Sequence, residues 1–242
     1  MKIVTAILAL AVAAGTFGGP APQAAPWDRA AVLEKMQPLL AQADAKAGAP
    51  VFIRIFKRES ELELWLKGES GYGLVKTYPI CAWSGHLGPK LKQGDRQAPE
   101  GFYRVVARAL NPASRFHLSF NLGYPNEYDR AHGRTGNWLM VHGNCVSIGC
   151  YAMTDRGIEE IYTLVEAALE NGQPAVPVHI FPFRMTDANM ARASRSRWIG
   201  FWRNLKTGYD LFERTKRPPD VRVRNKAYVF PGETGVPGSN RK

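Results

Sequence analysis

The chain has 242 residues, 45% of them hydrophobic, which is ample for the core of one sizeable domain with extensions. Its formal net charge is +11, but the basic residues are dispersed rather than interleaved with aromatics in a compact block, which argues against a nucleic-acid partner. An anionic cell-wall polymer or a membrane surface suits that charge better, and a merely solvated basic surface is the plain alternative.

The N-terminus reads as a secretory signal over residues 1–25: Lys2, the apolar run Ile3 to Ala14, then small residues and proline. The run is too short to span a bilayer comfortably, so cleavage between Thr16 and Ala25 is expected, a retained anchor being the alternative. No stable transmembrane span is expected, and the protein reads as exported. Between Pro26 and Ala49 the residues Ala30, Leu33, Met36, Leu39 and Leu40 have helical spacing; Asp28 can cap the start and Gly48-Ala49-Pro50 ends it. Val51 to Phe56, Leu62 to Leu66 and Leu74 to Trp83 follow as strands, a spacing that suggests an antiparallel meander, sandwich or barrel. Ser84 to Gln97 is loop. Pro99-Glu100-Gly101 reads as a turn opening a strand from Phe102 to Ala107, and Leu118 to Phe120 extends the sheet. Asn121 to Asn137 has no apolar period and reads as a long polar loop, a kind that is often functional.

Trp138 to Asp155 carries the chemistry. The apolar run Trp138 to Val141 predicts a buried strand that delivers His142 into a loop of small and polar residues. Cys150 follows eight residues later, just ahead of a helix start at Thr154-Asp155. A thiol on a glycine turn with a nearby imidazole suits covalent catalysis, because the thiolate is the nucleophile and both the imidazole and a helix start favour it. Glycines before the thiol let backbone N–H groups face a reacting carbonyl oxygen. Beyond it, Asp155 to Glu170 is a helix with Gly172 as its C-terminal stop, and Val176 to Phe181 is a strand placed at an edge by Pro177. Helices are expected from Thr186 to Arg192 and near Arg197 to Leu205, then a hairpin of Val221 to Val223 with Ala227 to Phe230. The last dozen residues read as disordered. Three cysteines permit at most one internal disulfide. Cys81 reads as a buried small hydrophobe, and an inhibitory Cys145–Cys150 bridge is conceivable. Tetrahedral zinc on His132, His142, Cys145 and Cys150 is the rival chemistry, weakened by the lack of a Cys-x-x-Cys pair.

His142-Gly143 followed by Ser147-Ile148-Gly149-Cys150 resembles the signature of the YkuD-type L,D-transpeptidase domain, and most of all its YafK-like branch, where Cys-Tyr-Ala-Met-Thr follows. Gly94-Asp95-Arg96, Pro99 to Tyr103, Asn121 to Pro125, Tyr128 to Gly133 and Phe183 to Met190 look like the same branch. The resemblance spans about Val51 to Val223 and implies a β-rich α+β fold, a YkuD-like mixed β-sandwich with packed helices and a C-terminal helical and hairpin extension. It divides the chain into a signal at 1–25, an N-terminal helix at 26–50, a catalytic domain at 51–183, an extension at 184–230 and a tail at 231–242.

The same resemblance implies an enzyme of the cell envelope or periplasm that acts on peptidoglycan stem peptides at a meso-diaminopimelate centre and needs no cofactor. Cys150 would be the nucleophile, His142 the general base, the Gly143 carbonyl the orienter of the imidazole, Gly149 and Cys150 the oxyanion N–H donors, and Ser147 a support of the loop. Arg134, His132 and Tyr151 are the candidate substrate contacts, Arg134 because a guanidinium suits a carboxylate. Glu100 reads as a turn residue. Ile148 stands where the commoner pattern has a second His, and Ala152 where it often has Arg or Asn, which puts the substrate's pose in doubt. An amine acceptor, including a lipoprotein lysine, gives transpeptidation. Water gives hydrolysis, and in the YafK-like branch that includes release of wall-bound lipoprotein. A non-catalytic cell-wall binding module is the reading of another class.

Overall fold

The computed structural model describes residues 27–231, so the expected export signal, and all of the expected tail but residue 231, lie outside the described residues. The first element, α1 (Arg29–Gln42), starts where the Asp28 carboxylate accepts the Ala30 and Ala31 N–H groups at 3.0 and 3.1 Å. Its Val32, Met36 and Leu40 recur every four residues and bury one stripe in the main core. β1 (Val51–Phe56), β2 (Glu61–Lys67), β3 (Tyr72–Pro79) and β4 (Gly101–Val105) follow, then a 3-10 turn (Ala107–Ala109), β5 (Leu110–Ser114), β6 (His117–Asn121) and α2 (Glu127–Ala131). β7 (Met140–His142), β8 (Tyr151–Ala152), α3 (Asp155–Glu170), β9 (Val176–Phe181), α4 (Asp187–Arg192), α5 (Ile199–Thr215), β10 (Arg222–Arg224) and β11 (Ala227–Val229) complete the order.

The strands form a five-stranded sheet in the order β3-β2-β1-β9-β4, a four-stranded sheet β5-β6-β7-β8, and the hairpin β10-β11. Each larger sheet contains one parallel pair, β1 with β9 and β7 with β8, so the architecture is mixed α+β rather than a pure meander. One face of the five-stranded sheet packs into the main core with α1 and α3, through Ile53, Ile55, Val178 and Ile180. Its other face carries Phe56, Phe102 and Phe181, which meet Trp202, Leu205 and Tyr209 of α5. A sheet covered on both sides must be apolar on both sides, hence the unbroken run of β1.

Several expectations need correction. β9 is interior, not an edge: it lies between β1 and β4, and Pro177 is tolerated because pairing with β1 begins only at Val178. The polar stretch 121–137 holds α2, started by a capping box of Asn126 and Asp129. The last long helix runs to Thr215 through Gly208, where a Cβ would stand 2.6 Å from Phe230 Cε1 and 2.7 Å from Phe102 Cζ. Glycine there serves close packing rather than a helix stop. The third strand ends at Pro79, and the chain then crosses to the other sheet, where Cys81 and Ala82 bond to Ala152 beside β8.

Glu100 is more than a turn residue. It is wholly buried with Lys57, at 3.1 Å, and also accepts the Gly88 N–H at 2.6 Å and the Trp202 indole N–H at 2.8 Å. Lys57 Nζ donates as well to the carbonyls of His86, Gly88 and Ala98. Burial pushes the Lys57 ammonium below its ordinary value, and the Glu100 charge opposes that. Removing one partner strands the other charge in the core. Glu100→Ala or Lys57→Met is therefore expected to cost about 3–5 kcal/mol in urea unfolding, and a Lys57→Met/Glu100→Leu double variant less than the two singles added.

Candidate active site

The register of the four-stranded sheet brings the imidazole and the thiol to one face. β7 and β8 are parallel, with Val141 opposite Tyr151 and His142 opposite Ala152. Val141 and Tyr151 point into the core, so alternation puts His142 and Cys150, one residue either side of that pair, on the opposite side of the sheet, where His142 is buried and Cys150 half-buried. They are diagonal neighbours on adjacent strands, about 8 Å apart at Cα by strand geometry, a separation that two inclined side chains can span.

His142 ends β7, and its Nδ1 lies 2.6 Å from the Gly143 carbonyl oxygen. A carbonyl only accepts, so Nδ1 carries the hydrogen and Nε2 keeps the basic lone pair. The Phe116 ring packs on the imidazole, with centroids 4.7 Å apart. At Gly143 a Cβ would come within 2.6 Å of Asp155 Oδ1, and the same oxygen accepts the Asn144 N–H at 2.8 Å. Asp155, read from the sequence only as a helix start, thus also tethers the loop.

Cys150 is the free cysteine of the described residues and is half-buried. Its Sγ lies 3.7 Å from the Trp138 carbonyl oxygen and accepts the Met140 N–H. The Ser147 hydroxyl donates to the Cys150 carbonyl at 2.8 Å and accepts the Gly149 N–H at 3.1 Å. Gly149 adopts φ +146°, a conformation that glycine takes without strain. Its N–H is committed to the Ser147 hydroxyl.

Cys81 is bridged to Cys145, and both are exposed. This corrects the reading of Cys81 as a buried hydrophobe and takes Cys145 away from Cys150. The bridge ties the loop to the crossing segment beside β8. Burial lowers His142 from its ordinary value, and the Gly143 carbonyl opposes the shift. Burial likewise pushes the Cys150 thiol up, opposed by the Met140 N–H and the positive charge of Lys90. Both shifts favour the neutral thiol and neutral imidazole at rest, rather than the ionised thiol that sequence reasoning emphasised.

The other candidates are engaged elsewhere. Arg134 is 8% exposed, donates to Asp129 at 2.7 Å and stacks over Tyr128 and Phe201. His132 lies on the Tyr128 ring, and its Nε2 is 2.8 Å from the Lys226 carbonyl. Tyr151 is fully buried and donates its hydroxyl to the Pro99 carbonyl at 2.7 Å. Arg134 and Tyr151 therefore brace the fold, and His132, itself exposed, links α2 to the C-terminal hairpin through Nε2. The four residues considered for zinc are not gathered either, with Cys145 in the bridge and His132 against the hairpin. Sequence reasoning missed Lys90, which is buried, paired with Asp95, and contributes its charge at the thiol. A buried lysine gives no sequence signal beyond its place in a glycine-rich loop.

Residues 50–180 match the family profile YkuD, described as the L,D-transpeptidase catalytic domain. The chain is 56% identical over 182 residues to YafK, a candidate L,D-transpeptidase of Escherichia coli strain K12, covering 75% of this chain and 74% of that protein. The counterpart in Escherichia coli O157:H7 gives the same figures. Among solved structures, the helical cell shape determining protein Pgp2 of Campylobacter jejuni aligns at 16% identity and a TM-score of 0.44, over 77% of this chain and 79% of that one.

Two measurements follow from this geometry. Thiol titration of the unreduced, denatured protein should count one reactive thiol among the three cysteines, with mass mapping placing it at Cys150. Alkylation of the folded protein by iodoacetamide should rise with pH through a midpoint above that of an unburied cysteine, because burial disfavours the thiolate. A midpoint well below that value would contradict a neutral resting pair.

Proposed function

Because the chain belongs to the YkuD L,D-transpeptidase family, we propose that it is an exported cysteine enzyme acting on peptidoglycan stem peptides through an acyl-enzyme on Cys150. The observation that carries this reading is the shared side of the sheet for Cys150 and His142, with Nε2 left basic by the Nδ1 bond to Gly143. As the thiol approaches a carbonyl carbon, its proton passes to His142 Nε2 and the sulfur bonds to that carbon. The carbonyl oxygen becomes an oxyanion beside the Cys150 N–H. Collapse of the intermediate returns the proton from His142 to the departing amine. An amine or a water then attacks the thioester, and the thiol is released.

The attacked carbonyl belongs to the L-centre of meso-diaminopimelate in this proposal. The family and the Cys81–Cys145 bridge suggest an extracytoplasmic setting, since such bridges persist in oxidising compartments. Among the described residues no helix is long and apolar enough to cross a membrane. The acceptor decides between a new crosslink, attachment of a lipoprotein lysine, and hydrolytic release.

Purified protein incubated with tetrapeptide muropeptides and with lipoprotein-linked fragments, analysed by mass spectrometry, separates these outcomes. Crosslinked products mark transpeptidation, and shortened or released fragments mark hydrolysis. Cys150→Ala should abolish either, and His142→Gln should lower turnover by about 10²–10⁴-fold. Wild type indistinguishable from Cys150→Ala on every substrate would instead favour the binding module. For the wild type, turnover should be lost as pH falls through a His142 value below the ordinary 6.5, because the base must be neutral to accept the proton.

A further inference from the structure

The outer face of the four-stranded sheet continues beyond the reacting pair. Asn111 pairs with Ser119, Ser119 with His142, and Asn121 with Met140, so Asn111, Asn121 and Met140 share the side of the sheet that carries the imidazole. Along this side runs a groove of about 480 Å³ lined by Arg108, Asn111, Asn121, Trp138 and Met140, with Arg104 at the far end. Cys150 does not line it, but two residues that do, Trp138 and Met140, supply the carbonyl and the N–H that meet Cys150 Sγ, so the groove lies next to the thiol. Trp138 is 67% exposed, a large apolar ring left facing solvent beside the nucleophile.

The far end is cationic. Arg104 and Arg108 are both exposed, and neither has a carboxylate partner among the described residues. Elsewhere the guanidinium groups of Arg54, Arg134 and Arg184 are held by Glu63, Asp129 and Glu61. Arg108 stands two residues ahead of Leu110, Leu110 is opposite Phe120, and Phe120 is opposite Val141. The strand that Arg108 leads into is therefore two strand spacings, about 10 Å, from the strand of His142 and three, about 14 Å, from the one that Cys150 leads into, a gap that the long arginine side chain shortens.

Resting on the function proposed above, we infer that this groove seats the donor stem peptide and that Arg108 reads a second carboxylate on the order of 10 Å from the attacked carbonyl. The Trp138 ring offers a flat apolar surface to the alkyl chain of the substrate. The side-chain amides of Asn111 and Asn121 offer donors to its backbone, the Asn121 oxygen already accepting the Gly123 N–H at 2.8 Å. This assigns to Arg108 the carboxylate recognition that Arg134, committed to Asp129, cannot supply. Two carboxylates of a stem peptide lie at such a distance: the α-carboxylate of a γ-linked glutamate, and the one on the far centre of diaminopimelate.

Equilibrium binding to Cys150→Ala protein, which cannot acylate, tests the inference by calorimetry. The probes are a synthetic stem tetrapeptide as the free acid and two forms of it, each amidated at one of these carboxylates. Arg108→Gln, made in that background, should weaken binding of the free acid on the order of tenfold, with Arg108→Lys in between. One amidated peptide should bind equally weakly with and without the Arg108→Gln substitution, which identifies the carboxylate read. Undiminished binding of the free acid by Arg108→Gln overturns the inference. So does a loss that persists with both amidated peptides, or failure of the free acid to bind at all. Product analysis of the wild type reads the catalytic proposal separately, so the two ideas fail by different observations.

Discussion

The buried pair of Lys57 and Glu100 is the constraint on which the rest of the architecture depends. One ammonium holds the end of β1 to three carbonyls of the 86–98 loop, and its partner carboxylate reaches Gly88 and the α5 indole of Trp202. A buried ion pair is weak evidence for net stability, because desolvation offsets most of the attraction. What it secures is position. Pro99, next to Glu100, offers the carbonyl that receives the Tyr151 hydroxyl, and Tyr151 is the residue after Cys150. A chain of buried polar contacts therefore runs from the middle of the protein to the backbone of Cys150, without any of its members facing a substrate.

At the candidate site above that support, burial works against charge. Burial disfavours imidazolium at His142 and thiolate at Cys150 alike. The groups that oppose those shifts are fixed: the Gly143 carbonyl, the Met140 N–H and the Lys90 ammonium. Such an arrangement does not stabilise a standing ion pair. In the proposed reaction it would act on charge that develops while a proton is in transit, when fixed dipoles need no reorganisation. The groove leading away from the thiol extends the same economy, with arginines placed at the far end and not against the sulfur.

Much of this was legible in the residues themselves. Helical spacing located α1 and α3, and alternation with short apolar runs located most strands, since burial on a helix stripe or a sheet face leaves a period in the sequence. That His142 and Cys150 flank one glycine-rich turn was legible too, because that is a matter of spacing along the chain. What escaped was non-local. Nothing in the run Val176 to Phe181 says that it lies inside a sheet, because its neighbours β1 and β4 come from 70 or more residues away. Arg134 looked available because its partner Asp129 sits in a stretch that has no apolar period, and the helix there is set by capping. Cys81 sat at the end of an apolar run, but its exposure depends on the crossing between sheets.

The bridge between Cys81 and Cys145 has a consequence for how the protein reaches its working state. Cys145 emerges five residues before Cys150 and 64 after Cys81, so the sulfur nearest along the chain is the wrong mate. Pairing with the distant one leaves the Cys150 thiol free, whereas pairing with the near one would cap it. Biosynthesis thus contains a choice made once per molecule, in which the β8 crossing must bring Cys81 alongside before an oxidant arrives. Which sulfur Cys145 meets first then sets the share of molecules in which Cys150 is left free.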